Sequence, residues 1–367
     1  MISYSTEIMA APFRSISLPI HLQLPLGENP AGITTLTNGG YLLNFSARPE
    51  VMLLDASLRE VWRKDLQAQT THYVTCETAV SPDGRLIALS GETAVRITDN
   101  NGQLLWQYEH APWYHFLGSG CFFSADTRYM WFVSPGDQDT LQMLRLSDFT
   151  IINSLPLEAS QERSYVFHAT PDKEKFLIET PAGQDDITLY LVQFSDDKMM
   201  MEELTQCNDS VAGNFSPDGK AFVTGPHYEE AIQLFSFPGM EKTAELSQEA
   251  LFNINDRYKA AEDPDNVNYT VLFINNDTLV AFTRFGRLLL IDRHTFTCFG
   301  ELLPEGCDIR AYDADGRPTT NPAAIVDYGG DIVTLLLNKR GQLVVTHSAG
   351  EIRVYELPEI KATDTAL

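Results

Sequence analysis

Histidine and cysteine are the side chains in this sequence best suited to holding a metal ion, and their spacing does not group them. The eight histidines are dispersed, and neither H-x-H nor H-E-x-x-H occurs. The five cysteines form no C-x-x-C pair and are odd in number, so we expect neither a zinc site nor a disulfide framework. We therefore predict no metal and no cofactor, although histidines from separate segments could converge in the folded chain.

Carboxylates and nucleophiles also lack the patterns that catalysis needs. The sequence DADG at 313–316 is a fragment of a calcium loop, but the full twelve-residue pattern is missing. No G-x-S-x-G elbow, phosphate-binding loop or dinucleotide fingerprint occurs. Two paired carboxylates, at 185–186 and 196–197, lie in predicted turns. We predict no catalytic residue.

The charge balance limits the classes of partner. The chain has 26 Lys and Arg against 50 Asp and Glu, which gives a net charge of −24. Nucleic acids and anionic membranes both attract basic proteins, so we predict that neither is a partner. The same charge favours a basic protein or peptide through electrostatic steering.

The N-terminal segment and the hydropathy indicate a cellular location. The first 27 residues have no basic start followed by a continuous apolar stretch, so we expect no signal peptide. No run approaches the roughly 18 apolar residues of a membrane span. We predict a soluble, reduced, cytoplasmic protein.

Turn signals recur along the chain at a regular period. They read TNGG from Thr37, SPDG from Ser81, SADT from Ser124, TPDK from Thr170, SPDG from Ser216, NNDT from Asn275 and NKRG from Asn338. The separations are 44, 43, 46, 46, 59 and 63 residues. In the SPDG turns Pro presets φ, Asp bonds the local backbone and Gly takes the positive φ. The chain is therefore predicted to be a repeat protein.

Each turn lies between two runs of β-forming residues, and a third and usually a fourth run follow. Four antiparallel strands in about 40–50 residues are typical of one propeller blade. The seven repeats therefore predict an all-β, seven-bladed β-propeller that forms a single domain over residues 1–367. The predicted blades cover 31–66, 73–109, 116–157, 164–204, 209–246, 269–303 and 331–357. The last unit lacks a fourth strand, and an N-terminal strand at about 15–25 has no unit of its own. We expect that strand to complete the last blade and close the ring, which removes an exposed edge.

The repeated SPDG turns and the four-strand period resemble WD-repeat and related bacterial seven-bladed propellers over essentially the whole chain. The sequence departs from typical WD repeats because the third strands do not end in Trp-Asp. The resemblance implies the architecture and leaves the subfamily open. Propellers include scaffolds, hydrolases, lyases and oxidoreductases, so the fold alone decides no function.

A second pattern places an aspartate seven residues before a tryptophan, at Asp55 and Trp62 and again at Asp99 and Trp106. It resembles the tryptophan-docking motif of quinoprotein propellers, in which each Trp packs against the neighbouring blade. Only two of the seven units carry it. We therefore interpret these tryptophans as structural wedges and not as signs of a quinone cofactor.

Two long insertions, at 247–269 and 304–331, fall between the fourth strand of one blade and the first strand of the next. Loops longer than about 12–15 residues are often functional. Aromatic, histidine and arginine residues gather in the connections on the same face, and such residues are enriched at binding hot spots. The predicted partner-binding residues are Tyr73, Trp113, Tyr114, His115, Phe116, Tyr165, His227, Tyr228, Arg257, Tyr258, Tyr269, Arg310, Tyr312, Arg317 and Tyr328.

We therefore predict a protein–protein interaction module or scaffold, monomeric by itself or a subunit of a complex. It would bind a basic protein or peptide through the loop face that carries these aromatic residues. The alternative is an enzyme or small-molecule binder of the hydrolase, lyase or quinoprotein type, with its site at the central funnel. Three or more His, Asp or Glu side chains converging near the axis would favour the alternative.

Overall fold

The structure of the chain is a computed structural model. It describes residues 13–46, 48–67, 76–113, 119–157, 164–182, 186–195, 197–207, 209–227, 231–252, 266–313, 315, 317–319 and 325–360. The chain forms two compact units. One contains residues 22–212 and 336–354, and the other contains residues 1–21, 213–335 and 355–367.

Two short strands come first and are followed by four sheets of four strands. The first two strands are β1 (Arg14–Leu18) and β2 (Ile20–Pro25). Blade one has β3 (Gly32–Thr35), β4 (Tyr41–Asn44), β5 (Glu50–Leu54) and β6 (Glu60–Asp65). Blade two has β7 (Glu77–Val80), β8 (Leu86–Ser90), β9 (Ala94–Asp99) and β10 (Leu104–Glu109). Blade three has β11 (Cys121–Phe123), β12 (Tyr129–Ser134), β13 (Thr140–Arg145) and β14 (Thr150–Pro156). Blade four has β15 (Val166–Ala169), β16 (Lys175–Ala182), β17 (Asp186–Ser195) and β18 (Lys198–Glu203).

The remaining blades follow a 3₁₀ turn at Thr205–Cys207. Blade five has β19 (Ser210–Phe215), β20 (Ala221–Pro226), β21 (Ile232–Ser236) and β22 (Lys242–Leu246), and the helix α1 (Gln248–Phe252) comes next. Blade six has β23 (Val267–Phe273), β24 (Thr278–Thr283), β25 (Leu288–Asp292) and β26 (Cys298–Pro304). A hairpin of β27 (Ile309–Asp313) and β28 (Ile325–Gly330) precedes blade seven. Blade seven has β29 (Ile332–Leu337), β30 (Leu343–His347) and β31 (Glu351–Tyr355).

These sheets are the seven blades of a β-propeller, which confirms the predicted fold class. Strand β2 lies beside β31 as the fourth strand of blade seven, so the N-terminal strand closes the ring as predicted. The helices that the structure describes do not combine the length and apolar character needed to cross a bilayer.

The predicted closing strand at 15–25 is divided between two blades. Residues before Pro19 form β1, which pairs in parallel with β26 from Arg14 opposite Gly300 to Leu18 opposite Pro304. A side chain on Gly300 would overlap the carbonyl oxygen of Arg14, so glycine permits this fifth strand on blade six. Pro19 has no N–H to donate to a strand partner, and the chain changes sheets at this residue.

The middle strands of each blade are buried on both faces, because each sheet packs between two others. All residues of β4 and β12 are buried, whereas β6 and β10 alternate between exposed and half-buried positions. Trp106 on β10 packs edge-on against Phe132 on β12, with ring centroids 5.7 Å apart. Its role is therefore the predicted wedge between blades.

The first turn of several blades is held by a repeated serine and aspartate network. In blade five the Ser216 hydroxyl donates to Asp218 Oδ1 (2.6 Å) and accepts from the Ala221 N–H (3.0 Å). In blade two the Ser81 hydroxyl donates to Asp83 (2.7 Å) in the same way. Gly84 and Gly219 end these turns with φ of 72° and 69°, values that favour glycine. The SPDG signal therefore has a physical basis in both hydrogen bonding and backbone conformation.

Both insertions, predicted as loops, contain regular secondary structure. The segment 247–269 begins with α1, and its residues 253–265 lie outside the described chain. The segment 304–331 contains the hairpin β27–β28. The alternation of apolar and polar residues in this segment is short and weak, and the sequence therefore predicts a loop here.

Candidate functional site

The predicted binding residues fall into three groups. Seven lie outside the described residues: Tyr73, Tyr114, His115, Phe116, Tyr228, Arg257 and Tyr258. For three others the structure describes the backbone alone, as part of the hairpin β27–β28: Arg310, Tyr312 and Tyr328. The remaining five are Trp113, Tyr165, His227, Tyr269 and Arg317.

Trp113 and Tyr165 are core residues of blades three and four. Their side chains are only 5% and 1% exposed, and their ring centroids lie 6.1 Å apart. The Tyr165 hydroxyl donates to Asp139 Oδ2 (2.8 Å) in a buried setting. Burial raises the pKa of Asp139, and the hydrogen bond from Tyr165 opposes that shift. These two aromatics hold the loop ends of the blades in place and offer little surface to a partner.

His227 and Tyr269 form an aromatic pair between blades five and six. Their ring centroids lie 5.7 Å apart at an angle of 40°. His227 is buried directly after β20, whereas the Tyr269 side chain is 43% exposed. Of the five described candidates, Tyr269 is therefore the aromatic residue that a partner could reach.

Tyr269 lies at an irregularity of β23, and its backbone is strained. The pairing of β23 with β24 shifts register between Val267 and Val271, as in a β-bulge. Tyr269 has a φ of 61°, which is an outlier for a bulky residue. Backbone strain of this kind is concentrated at functional sites.

Gly225, which is not among the residues predicted from the sequence, makes this arrangement possible. A Cβ at this position would overlap the carbonyl oxygen of Tyr269. Glycine therefore lets β20 of blade five approach β23 of blade six closely. An isolated glycine inside a strand, here in the run VTGP, is a signal of close backbone approach that the sequence does contain.

The hairpin β27–β28 is anchored beside the same end of blade six. Gly330 at its base lies against Gly286 in the turn between β24 and β25, where a Cβ on either glycine would come within 3.0 Å of the other's Cα. The Asp308 N–H donates to Asp331 Oδ2 (3.0 Å), which joins the two ends of the hairpin. Ile309 and Arg317 are exposed on this element. The hairpin thus adds exposed side chains beside the turn between β24 and β25 of blade six.

Asp313 of the DADG segment forms hydrogen bonds with the backbone that follows it. Asp313 Oδ1 accepts from the backbone N–H groups of Asp315 (2.9 Å) and Arg317 (2.8 Å). One carboxylate oxygen is therefore already used by the local backbone. Within the described residues, no group of three or more His, Cys, Asp or Glu side chains could hold a metal ion.

Three of the described histidines, His21, His168 and His294, each pair with a separate carboxylate. His168 Nε2 lies 3.3 Å from Glu179, and Glu179 also accepts from the Ala212 N–H (2.8 Å). His294 lies 2.9 Å from Asp277 on the surface. These pairs are in different blades, and no nucleophile joins either of them in the described part of the chain. They offer no triad for acid–base or nucleophilic catalysis.

The chain is similar to two solved propeller structures. One is the structure of the RRP9 WD40 repeats, with a TM-score of 0.59 and 12% identity over 93% of this chain and 99% of that chain. The other is the structure of U3-55K, with a TM-score of 0.57 and 12% identity over 93% of this chain and 100% of that chain. No protein-family model and no curated protein sequence matches. The chain has the seven-bladed propeller fold of WD40-repeat structures.

Proposed function

We propose that this protein is a protein–protein interaction module whose contact surface includes Tyr269, Arg317 and the hairpin β27–β28. The observation that carries the proposal is Tyr269, an exposed aromatic residue held at positive φ. A residue in such a conformation costs on the order of 1–3 kcal/mol, and the rest of the fold must compensate for it. A contact made by the exposed ring would give a reason for a tyrosine at a position where glycine would be relaxed.

The chemistry of the surrounding residues supports a protein ligand. Tyrosine and arginine are the residues that most often dominate binding energy, because they bury large areas at a small loss of side-chain freedom. Exposed Ile309 adds apolar area on the hairpin. The predicted contacts whose side chains are outside the described structure, Arg310, Tyr312 and Tyr328, belong to the same hairpin. They remain part of the proposed surface.

The proposed partner is a protein or peptide with a basic surface. A net charge of −24 attracts cationic partners over distances comparable to the Debye length, so association should be faster at low salt. We propose a cytoplasmic setting on the same grounds of charge and composition.

Affinity capture with matched variants tests the proposal. Wild type, Tyr269→Ala and Arg317→Ala would be compared with Met200→Ala, which changes an exposed residue on the outer strand β18. Circular dichroism would first show that all four are folded. We expect one partner to be enriched by wild type and Met200→Ala and lost with Tyr269→Ala.

Purified partner and wild-type protein should then bind in titration calorimetry, with an affinity that falls as salt rises. Tyr269→Ala should weaken this binding by about tenfold or more, as for a hot-spot residue. If both surface variants bind every captured partner as wild type does, the proposed contact surface is wrong.

A further inference from the structure

A cavity of about 630 Å³ lies among the first strands of blades one to four. Its walls come from β3, β7, β11 and β15, from the turns that follow these strands, and from Lys339 in the turn between β29 and β30 of blade seven. A cavity of this size matches those that bind small organic molecules. It lies at the turn ends of these blades, and none of its lining residues belongs to the proposed partner surface.

The walls combine hydroxyl groups with aromatic rings. Thr34, Thr35 and Thr78 line one side, and the Thr34 hydroxyl donates to the Thr78 carbonyl oxygen (3.0 Å). Phe122 and Phe167 line the other side, with nearly parallel rings whose centroids are 6.3 Å apart. The cavity therefore presents an apolar wall and a polar wall to the same ligand.

Three of the nine lysines in the chain also line this cavity: Lys173, Lys175 and Lys339. Asp172 is the one carboxylate among the lining residues, and it lies 3.4 Å from Lys175. Lys173 and Lys339 are exposed, and neither has an ion pair or hydrogen bond to a residue that the structure describes. The cavity thus carries an excess of positive charge in a protein whose net charge is −24.

A second cavity shows that this lack of pairing is not general. It measures about 610 Å³ and is lined by Arg85, Arg128 and Arg145. Each of these arginines forms an ion pair with an aspartate two or three residues away. Local carboxylates neutralise the cations there, whereas two of the three cations in the lysine cavity are left for an external anion.

We propose that the lysine cavity binds a small organic anion with at least two negative charges and an apolar or planar body. Lys173 and Lys339 would contact the charged groups, since a charge-assisted hydrogen bond is the strongest contact available to an ammonium group. The threonine hydroxyls would complete the polar contacts, and Phe122 and Phe167 would cover the apolar body. Phosphate and carboxylate groups both satisfy this chemistry.

Titration calorimetry of the full chain with defined probes tests the site. The probes are pyrophosphate, citrate and adenosine diphosphate without metal, with uncharged adenosine as the control ligand and a glutamate-rich peptide as a macromolecular alternative. We expect at least one small anion to bind, more weakly as salt rises, and adenosine not to bind. Absence of binding by all three small anions at millimolar concentration, or binding of the peptide alone, would overturn the proposal.

Lysine variants locate the binding. Lys173→Ala and Lys339→Ala should each weaken the affinity for the bound anion by about tenfold, and the double variant more, because each removes one charge-assisted contact. Lys198→Ala and Lys220→Ala, which change lysines outside the cavity, should bind as wild type does. If the control variants lose as much affinity for the anion as the Lys173 and Lys339 variants do, the attraction is non-specific and the proposed site is wrong.

Discussion

Glu77 illustrates how a single residue sets a pH dependence. It lies on the first strand of blade two, and its carboxylate has no hydrogen-bond or ion-pair partner among the described residues. Burial raises the pKa of Glu77 above its ordinary value of 4.5. The folded state therefore binds more protons than the unfolded state between pH 4.5 and the raised pKa, and stability falls as pH rises through that window.

Glu77→Gln is accordingly expected to increase the free energy of unfolding at pH 7, because it removes a charge that is poorly solvated in the folded state. The gain should shrink towards pH 4.5, where the carboxyl of the folded wild type is protonated. Urea unfolding at both pH values measures the difference. Glu109→Gln, at an exposed strand position, is the control and should change little. A gain for Glu77→Gln that is the same at both pH values would contradict the argument.

Tyr269 permits a separate test of backbone strain. Replacement by glycine removes both the ring and the left-handed strain, whereas replacement by alanine removes the ring alone. Tyr269→Gly should therefore be more stable than Tyr269→Ala by about 1 kcal/mol. Thermal and urea unfolding of the two variants measure this difference. Equal stabilities would show that the positive φ at this residue is relaxed.

At the scale of elements, the serine and aspartate turns explain why the repeat is visible in sequence. The Ser216 hydroxyl donates a hydrogen bond to Asp218 and accepts hydrogen bonds from the N–H groups of Lys220 and Ala221. The hydrogen bond from Ser216 is the largest cause that lowers the pKa of Asp218, followed by the Lys220 N–H. A carboxylate with a depressed pKa stabilises the fold above its unfolded pKa, and this contribution is lost as pH falls through the folded value.

Ser216→Ala should lower the free energy of unfolding by about 1–2 kcal/mol at neutral pH, since it removes the side-chain acceptor of the Ala221 N–H and one of the hydrogen bonds to the Asp218 carboxylate. The loss should diminish on acidification below the ordinary aspartate pKa. Denaturant unfolding at pH 7 and at acid pH checks both statements. Ser57→Ala, at an exposed turn serine, should stay near wild type at either pH.

At the scale of the whole molecule, β2 closes blade seven with a strand from the other end of the chain. Leu22 and Leu24 of β2 are half-buried and pack against a core cluster that includes Tyr41, Val344 and Ile352. Their burial depends on pairing between residues more than 300 positions apart, so the stability of blade seven depends on a strand from the other end of the chain.

The double variant Leu22→Ala, Leu24→Ala should be destabilised by roughly 2–4 kcal/mol through lost burial in the closing strand. Leu104→Ala, Leu105→Ala is the matched control, since both leucines are exposed on the outer strand β10. Urea midpoints from circular dichroism compare the pairs. A midpoint for the β2 variant no lower than that of the control would mean that closure contributes little to stability.

Local chain chemistry was enough to predict the number of blades, their period and the closing role of the N-terminal segment. Turn residues act within five positions of one another, as at Ser216–Ala221, and strand patterns act within one sheet. The sequence alone is enough to predict structure that depends on such short-range interactions. The Trp106 wedge also followed from a local pattern, because an outer-strand tryptophan has only the next blade to pack against.

Contacts between residues distant in sequence decided which of the predicted binding residues are buried and which residues line a cavity. Trp113 and Tyr165 resemble exposed loop aromatics in sequence, but the fold buries them against Asp139 and the cores of their blades. Lys173 and Lys339 belong to ordinary turn signals 166 positions apart, and only the propeller places both at one cavity. Whether a side chain is a core residue, a contact or a ligand depends on its neighbours in space, and in a closed ring those neighbours come from other repeats.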